Sequence, residues 1–121
     1  MINFAYVIME GNLTADPELK RIGNGKQVCT FSIAVNHYNR TEEGDGGEVS
    51  FVEVEVWDKQ AENCAEYLKK GRSVTVMGNL KQDRWKAQDG TGRNKLKIIA
   101  VNVRFNPSEK IHAKVEERKA A

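Results

Sequence analysis

Aromatic and acidic side chains alternate along the stretch Ser50–Trp57 of this 121-residue chain, which runs Ser-Phe-Val-Glu-Val-Glu-Val-Trp. In an extended strand, side chains two residues apart lie on the same face. One face therefore carries Phe51, Glu53, Glu55 and Trp57, and the valines between them are predicted to face the core. The two aromatics could contact another subunit or a small second core, or they could form a platform on which flat ligands stack.

A third aromatic residue, Trp85, lies between Arg84 and Lys86. The segment around it, residues 81–95, is basic and contains the turn sequence Asp89-Gly90-Thr91-Gly92, which predicts a long hairpin reaching out of the body of the protein. A tryptophan between two cations suits a nucleobase stacked on the ring while the phosphates meet the cations. The alternative is that Trp85 packs on a neighbouring subunit.

Charge is distributed unevenly along the chain, although the net charge is only +2. Residues 42–66 carry nine acidic side chains and one basic one, a balance of −8, whereas residues 69–97 carry nine basic and two acidic ones, a balance of +7. This split predicts a localised surface that attracts anions. No apolar run approaches the ~20 residues that a membrane span needs, so no membrane partner is expected.

The residue types that carry most enzyme chemistry are sparse or badly spaced. Cys29 and Cys64 occupy positions where apolar residues are expected, which favours reduced core thiols and a cytosolic compartment. His37 and His112 do not lie at ligand spacing with either cysteine, so we predict no metal site. No pair of carboxylates lies in an apolar setting and no phosphate-binding loop is present, so we predict neither a cofactor nor an enzyme.

Hydrophobic periodicity predicts the elements that must position these side chains. One helix is predicted over residues 58–71, and residues 16–26 are predicted to form a loop or hairpin. Five strands are predicted: Phe4–Leu13, Gln27–Asn36, Ser50–Trp57, Ser73–Trp85 and Leu96–Phe105. This order predicts an all-β chain, a five-stranded OB-fold Greek-key barrel with one short helix between strands 3 and 4, an architecture that binds oligonucleotides or oligosaccharides.

Several short motifs occur in the order in which one family has them: Gly11-Asn12-Leu13, Asp16-Pro17-Glu18-Leu19, Asn24-Gly25, Phe31–Asn36, Ala65–Gly71, Val76–Leu80, Asp89-Gly90, Ala100 and Asn102-Val103. On these motifs the chain resembles bacterial single-stranded DNA-binding proteins over roughly residues 4–105. The resemblance implies a homo-oligomer of OB folds, with the tetramer as the expected state. This oligomer would wrap single-stranded DNA without sequence preference. It also implies a role in DNA replication, recombination and repair, in the cytoplasm at the nucleoid.

The same resemblance implies which residues bind the DNA. The family's base-stacking aromatics fall on Phe51, Trp57 and Trp85, and the aromatic that its members often have in the loop between the second and third strands falls beside Tyr38. The cations near these positions complete the predicted site: Lys20, Arg21, Arg40, Lys59, Lys70, Lys81, Arg84, Lys86 and Arg93. Arg21 stands where relatives often have an aromatic. Glu53 and Glu55 depart from a phosphate-binding surface, and we expect them either to pair with lysine or arginine across the sheet or to weaken binding.

The chain divides into two predicted parts. Residues 1–106 are predicted to form the OB-fold single-stranded DNA-binding domain, and residues 107–121 a short flexible charged C-terminal extension. Members of the family usually end in an acidic tip that recruits replication and repair proteins, but this sequence ends Val115–Ala121 without one. Replication and repair proteins remain candidate partners, although the tip that usually recruits them is absent from this sequence.

Two other hypotheses remain open on the sequence. A dimeric accessory OB protein of the primosome type also lacks the tip and mainly binds partner proteins, and a stable dimer would favour it. An OB module for an oligosaccharide or a peptide would use the aromatics but would leave the basic segment at residues 69–97 unexplained.

Overall fold

A computed structural model of the protein describes residues 1–37 and 47–107. Tyr38, Arg40 and, apart from Pro107, the whole predicted C-terminal extension lie outside the described residues. The elements are β1 (Tyr6–Leu13), β2 (Glu18–Ile22), β3 (Lys26–His37), β4 (Glu48–Trp57), α1 (Asp58–Tyr67), β5 (Ser73–Lys86) and β6 (Gly92–Phe105). Five strands correspond to the five that were predicted, and β2 is the first arm of the predicted hairpin. The helix is neither long nor apolar enough to cross a membrane.

The strand pairings close into a ring of five strands. β1 pairs with β5, β5 with β6, and β3 with β4, all antiparallel, whereas β4 and β6 run parallel. The ring closes where β1 meets β3, at Asn12 opposite Ala34 and Leu13 opposite Ile33. β2 continues along the same edge of β3, over residues 26–30. The predicted OB arrangement is confirmed, with one additional hairpin strand.

The core lies inside this ring and under α1. The predicted inward face of β4 is confirmed, because Val54 and Val56 are fully buried. They pack in one cluster with residues from the other strands and from the helix: Leu13, Cys29, Phe31, Ile33, Ala61, Cys64, Leu68, Val74, Val76 and Ile98. Burial raises the pKa of Cys29 to about 11 and, together with the neighbouring Cys29, that of Cys64 to about 12. Both thiols are therefore protonated at neutral pH.

α1 is shorter than the sequence predicts, because it ends at Tyr67 and not at Gly71. Leu68 is already extended, with φ −92° and ψ 146°, although its side chain is still buried in the core. The backbone N–H of Gly71 donates to the carbonyl of Leu13 at 2.8 Å. The chain leaves the helix early because this tertiary hydrogen bond ties the following loop to the end of β1.

A bulge bends the long β5–β6 hairpin at Gly78, where a glycine inside the predicted strand Ser73–Trp85 indicates a bulge or a sharp bend. The register shifts between Met77 and Gly78, which oppose Asn102 and Ala100 respectively, so Val101 is the extra residue on β6. A Cβ atom at Gly78 would lie 2.2 Å from the carbonyl oxygen of Ile99, so only glycine allows the two strands to approach there. The extra residue, Val101, is exposed. The apolar run Ile98–Val101 predicts a strand that is buried on both sides or within an interface, so this residue differs from the first of these alternatives.

Candidate nucleic-acid interface

The strand register brings six of the predicted site residues onto one surface. Side chains of directly paired residues lie on the same side of a sheet, and we call the side opposite to the core, on β2, β3, β4, β6 and β5, the outer face. Its predicted site residues are Lys20 on β2, Phe51 and Trp57 on β4, Lys81 and Trp85 on β5, and Arg93 on β6.

Two of the three aromatics on the outer face are open to solvent. Phe51 is 70% exposed and Trp85 is 48% exposed. Within residues 1–37 and 47–107, neither ring stacks on another aromatic ring; the contacts between rings are Phe4 with Tyr6 and Tyr67 with Phe105. The faces of Phe51 and Trp85 are therefore available to a flat ligand.

Trp57 is half-buried and lies in a cross-strand row with a cation. It is paired with Val28, which is in turn paired with Lys20. Val28 is buried although it lies on the outer side of the sheet, so this row has an apolar centre. Adjacent strands lie about 4.8 Å apart, so Lys20 and Trp57 are separated by about 10 Å along the row.

Trp85 lies near the tip of the β5–β6 hairpin, directly opposite Arg93. The two residues line a shallow concavity of about 510 Å³ together with Arg84, Lys86 and Asn94. By strand alternation, however, Arg84 and Lys86 lie on the reverse face of the hairpin. The cation that shares a face with the Trp85 ring is therefore its cross-strand neighbour Arg93.

Glu53 and Glu55, the outer-face carboxylates of β4, are paired with lysines of β6. Glu53 forms a salt bridge with Lys95, and Glu55 Oε1 lies 3.3 Å from Lys97 Nζ. Lys97 Nζ also lies 2.6 Å from Asp83 Oδ2 on β5. The hydrogen bond to Asp83, with a smaller contribution from Glu55, raises the pKa of Lys97, while the hydrogen bond from Lys97 lowers that of Asp83.

These ion pairs confirm the expectation that Glu53 and Glu55 pair with basic residues across the sheet. Lys95 and Lys97 were not among the predicted site residues. Their i, i+2 spacing, where the predicted hairpin 81–95 meets the predicted strand Leu96–Phe105, was the available signal, because an extended backbone places both on one face. The signal could not be used without knowing that β6 lies beside β4.

Other predicted cations lie away from the outer face. Arg21 is paired with Gln27 on the opposite side of the β2–β3 hairpin, where both line a cavity of about 490 Å³ that also contacts Glu62 of α1. Lys59 is exposed in the first turn of α1. Lys70 follows the helix, and its backbone N–H donates to Asp16 Oδ1 at 2.9 Å.

Fold and surface together define a class: an OB-fold protein whose outer face combines exposed aromatic rings with cations at its margins. The model of the single-strand binding protein family matches residues 4–106, and the chain belongs to this family.

Individual relatives agree with this assignment. The chain is 38% identical over 105 residues to the single-stranded DNA-binding protein of Treponema pallidum, covering 87% of this chain and 59% of that protein. It is 40% identical over 99 residues to that of Bacillus cereus, covering 82% and 58% respectively. The chain thus spans less than two thirds of the length of these relatives. Among solved structures, a Plasmodium falciparum SSB in complex with ssDNA shares the fold, with a TM-score of 0.80 at 23% identity over 88% of this chain and 98% of that one.

Proposed function

We propose that this protein binds single-stranded DNA without sequence preference and thereby protects and organises it during replication, recombination and repair. The observation that carries the proposal is the outer face, on which Phe51, Trp57 and Trp85 lie together with cations of β2, β5 and β6. The names of the relatives and the DNA bound to the structural neighbour support it.

The proposed mechanism has two steps and involves no catalysis. Lys20, Lys81 and Arg93 first attract the phosphates and release their counterions, which makes the affinity depend on salt. Bases then stack on the exposed rings, and each stacked base contributes about 1–3 kcal/mol whatever its identity. Arg84 and Lys86 are proposed to add charge at the hairpin tip rather than direct contacts beside the Trp85 ring. Arg21, Lys59, Lys70, Tyr38 and Arg40 stay proposed contacts outside the outer face.

A tryptophan-fluorescence titration tests this proposal. We expect poly(dT) to quench the emission strongly, because Trp57 and Trp85 would both lie under bases, and duplex DNA of the same nucleotide concentration to quench it little. The affinity for poly(dT) is expected to fall between low and moderate salt. Equal responses to the single strand and the duplex would exclude the proposed function.

We further propose that the protein forms a homo-oligomer, with the tetramer as its expected state. β1 is paired with β5 along Tyr6–Asn12, but its other edge meets β3 only at its last two residues. Within the described part of the chain, no strand covers the rest of that edge. Exposed large apolar side chains lie just before β1, at Phe4, and within it, at Ile8, which is 68% exposed. Uncovered apolar edge strands are sites of association between chains.

Replacing Ile8 by aspartate is expected to dissociate this oligomer, because a charge would then have to be buried at the contact between copies. Sedimentation velocity should show a multiple of the 13.6 kDa chain for the wild type and a smaller species for Ile8→Asp. Glu10→Gln, on the same side of β1, removes a charge and serves as the control that should keep the oligomer. A wild type that is a stable dimer would favour an accessory protein instead, and a monomer would exclude this proposal.

The remaining proposals concern the organisation and setting of the protein. Residues 1–106 are proposed to form the binding domain, a boundary that agrees with the matched family range, and residues 107–121 are proposed to lie outside it. The protein is proposed to act in the cytoplasm at the nucleoid, and two protonated, buried thiols suit a reducing compartment.

A further inference from the structure

The centre of the outer face is occupied by two neighbouring groups of ion pairs, the pair Glu53–Lys95 and a triad in which Lys97 binds both Glu55 and Asp83. Together we call them the ion-pair cluster: Glu53, Glu55, Asp83, Lys95 and Lys97. It joins three strands, since Glu53 and Glu55 lie on β4, both lysines on β6 and Asp83 on β5. It contains three carboxylates and two ammonium groups, so its formal charge is −1. The basic segment therefore does not give the middle of this surface a positive charge.

The two lysines of the cluster are held to different degrees. The Lys97 side chain is only 12% exposed and its amine lies between Glu55 and Asp83. Lys95 is more open, and its partner Glu53 is partly exposed too. A phosphate that approached either lysine would also meet the paired carboxylate, at a distance where like charges repel near a protein surface. The cluster therefore attracts phosphates only weakly, although it contains two of the nine basic residues in the segment 69–97.

Of the cations outside the cluster, Lys20 and Lys81 lie on the first and last strands of the outer face, and Arg93 lies two residues from Lys95 on β6. In the strand order β5–β6–β4–β3–β2, Lys81 lies on β5 at one margin of the face and Lys20 on β2 at the other. Lys81 is the cross-strand neighbour of Lys97 but forms no ion pair within residues 1–37 and 47–107. The aromatic rings Phe51 and Trp57 lie on β4, between these margins.

We propose that the ion-pair cluster excludes phosphates from the centre of the face: Lys95 and Lys97 stay paired with carboxylates in the DNA complex, so that bases occupy the centre and the sugar–phosphate backbone follows the cations at the margins. This inference rests on the proposed function and goes beyond it, because it assigns Glu53, Glu55 and Asp83 a role in orienting the strand. The carboxylates are then positioning residues and not merely a weakness of the site.

The slope of log K against log salt concentration for binding of a dT oligomer separates this arrangement from its alternative. Each phosphate contacted by a cation contributes about 0.7 to the slope for a single strand. In Glu53→Gln, Lys95 loses its partner and becomes free to contact a phosphate, so we expect the slope to steepen by about 0.7. In the double variant Glu53→Gln/Lys95→Gln the pair is removed without a change of net charge, and we expect the wild-type slope. Glu53 and Lys95 are both partly exposed, so these variants should fold.

Glu66→Gln is the matched control, because it removes one carboxylate from the exposed side of α1, away from the outer face, and it should keep the wild-type slope. If the phosphates instead displace Glu53 from Lys95, Glu53→Gln will keep the wild-type slope and the slope of the double variant will be shallower by about 0.7. Either of these two results overturns the inference. The proposed function still stands in that case, provided that the wild type binds the single strand. If the wild type does not bind single-stranded DNA more tightly than duplex DNA, both the inference and the proposed function are excluded.

Discussion

Trp85→Ala is expected to weaken the binding of a dT oligomer by about 5- to 150-fold, which corresponds to the ~1–3 kcal/mol of one lost base stack. The ring is half exposed near the hairpin tip, opposite Arg93, and has no aromatic neighbour within the described residues. Its removal should therefore cost binding rather than folding. Because tryptophan carries no charge, the salt dependence of the affinity should change little.

The measurement is a competition titration with a dT oligomer at two salt concentrations. Tyr67→Ala is the control, since it also removes an exposed aromatic ring, on α1 and away from the outer face; it should leave the affinity unchanged. Unchanged affinity of Trp85→Ala at both salt concentrations would show that no base stacks on this ring. A loss of affinity accompanied by a shallower slope of log K against log salt concentration would instead indicate displacement of Arg93.

Ile98→Ala is expected to lower the free energy of unfolding by about 2–5 kcal/mol. Ile98 is fully buried and lies between Val54 on β4 and Leu80 on β5, its partners in the sheet. The truncation leaves a cavity where β5, β6 and β4 meet, and such a cavity can collapse only in part because all three strands are held by hydrogen bonds.

Leu96→Ala provides the matched control, because Leu96 precedes Ile98 by two residues on the same side of the strand but is 54% exposed. Surface truncations of this kind usually change stability by less than about 0.5 kcal/mol. Urea unfolding of both variants should be compared at one protein concentration, since association affects the apparent stability. Equal losses in the two variants would contradict this account and would indicate that another copy of the chain covers Leu96.

The two substitutions probe opposite sides of the same hairpin. Along β6, Lys95 and Lys97 lie on the outer face while Ile98 enters the core, so one short segment both completes the ring and supports the proposed binding surface. A mutation in the core beneath the face is therefore expected to affect binding only through the stability of the sheet.

Local pattern was sufficient to predict most of the fold. Alternation from Ser50 to Trp57 assigned the valines to the core and the aromatics to the other side, and the structure confirms this division. Turn residues predicted the two hairpins, and Gly78 the bulge. The strand β2 was less evident, because its five residues are all exposed and have no buried face to produce a periodic signal.

The site could be predicted only in part. Alternation within β5 already separates Trp85 from Arg84 and Lys86, although their adjacency in the sequence suggests a common surface. Arg21 likewise alternates with Lys20, so the two lie on opposite sides of the β2–β3 hairpin. In these cases the sequence contained the information, and the strand assignment was needed before it could be applied.

By itself the sequence determined the all-β class, the one helix, the inward faces of the strands and the aromatic character of the outer face, because each depends on residues a few positions apart. Only the tertiary structure decided which charges meet on that face. Glu53 and Glu55 are separated from Lys95 and Lys97 by about forty residues, and they pair because β6 lies parallel to β4 within the ring. Counting charges within a short stretch of sequence cannot reveal such pairs, because the packing of the whole core determines which strands lie side by side.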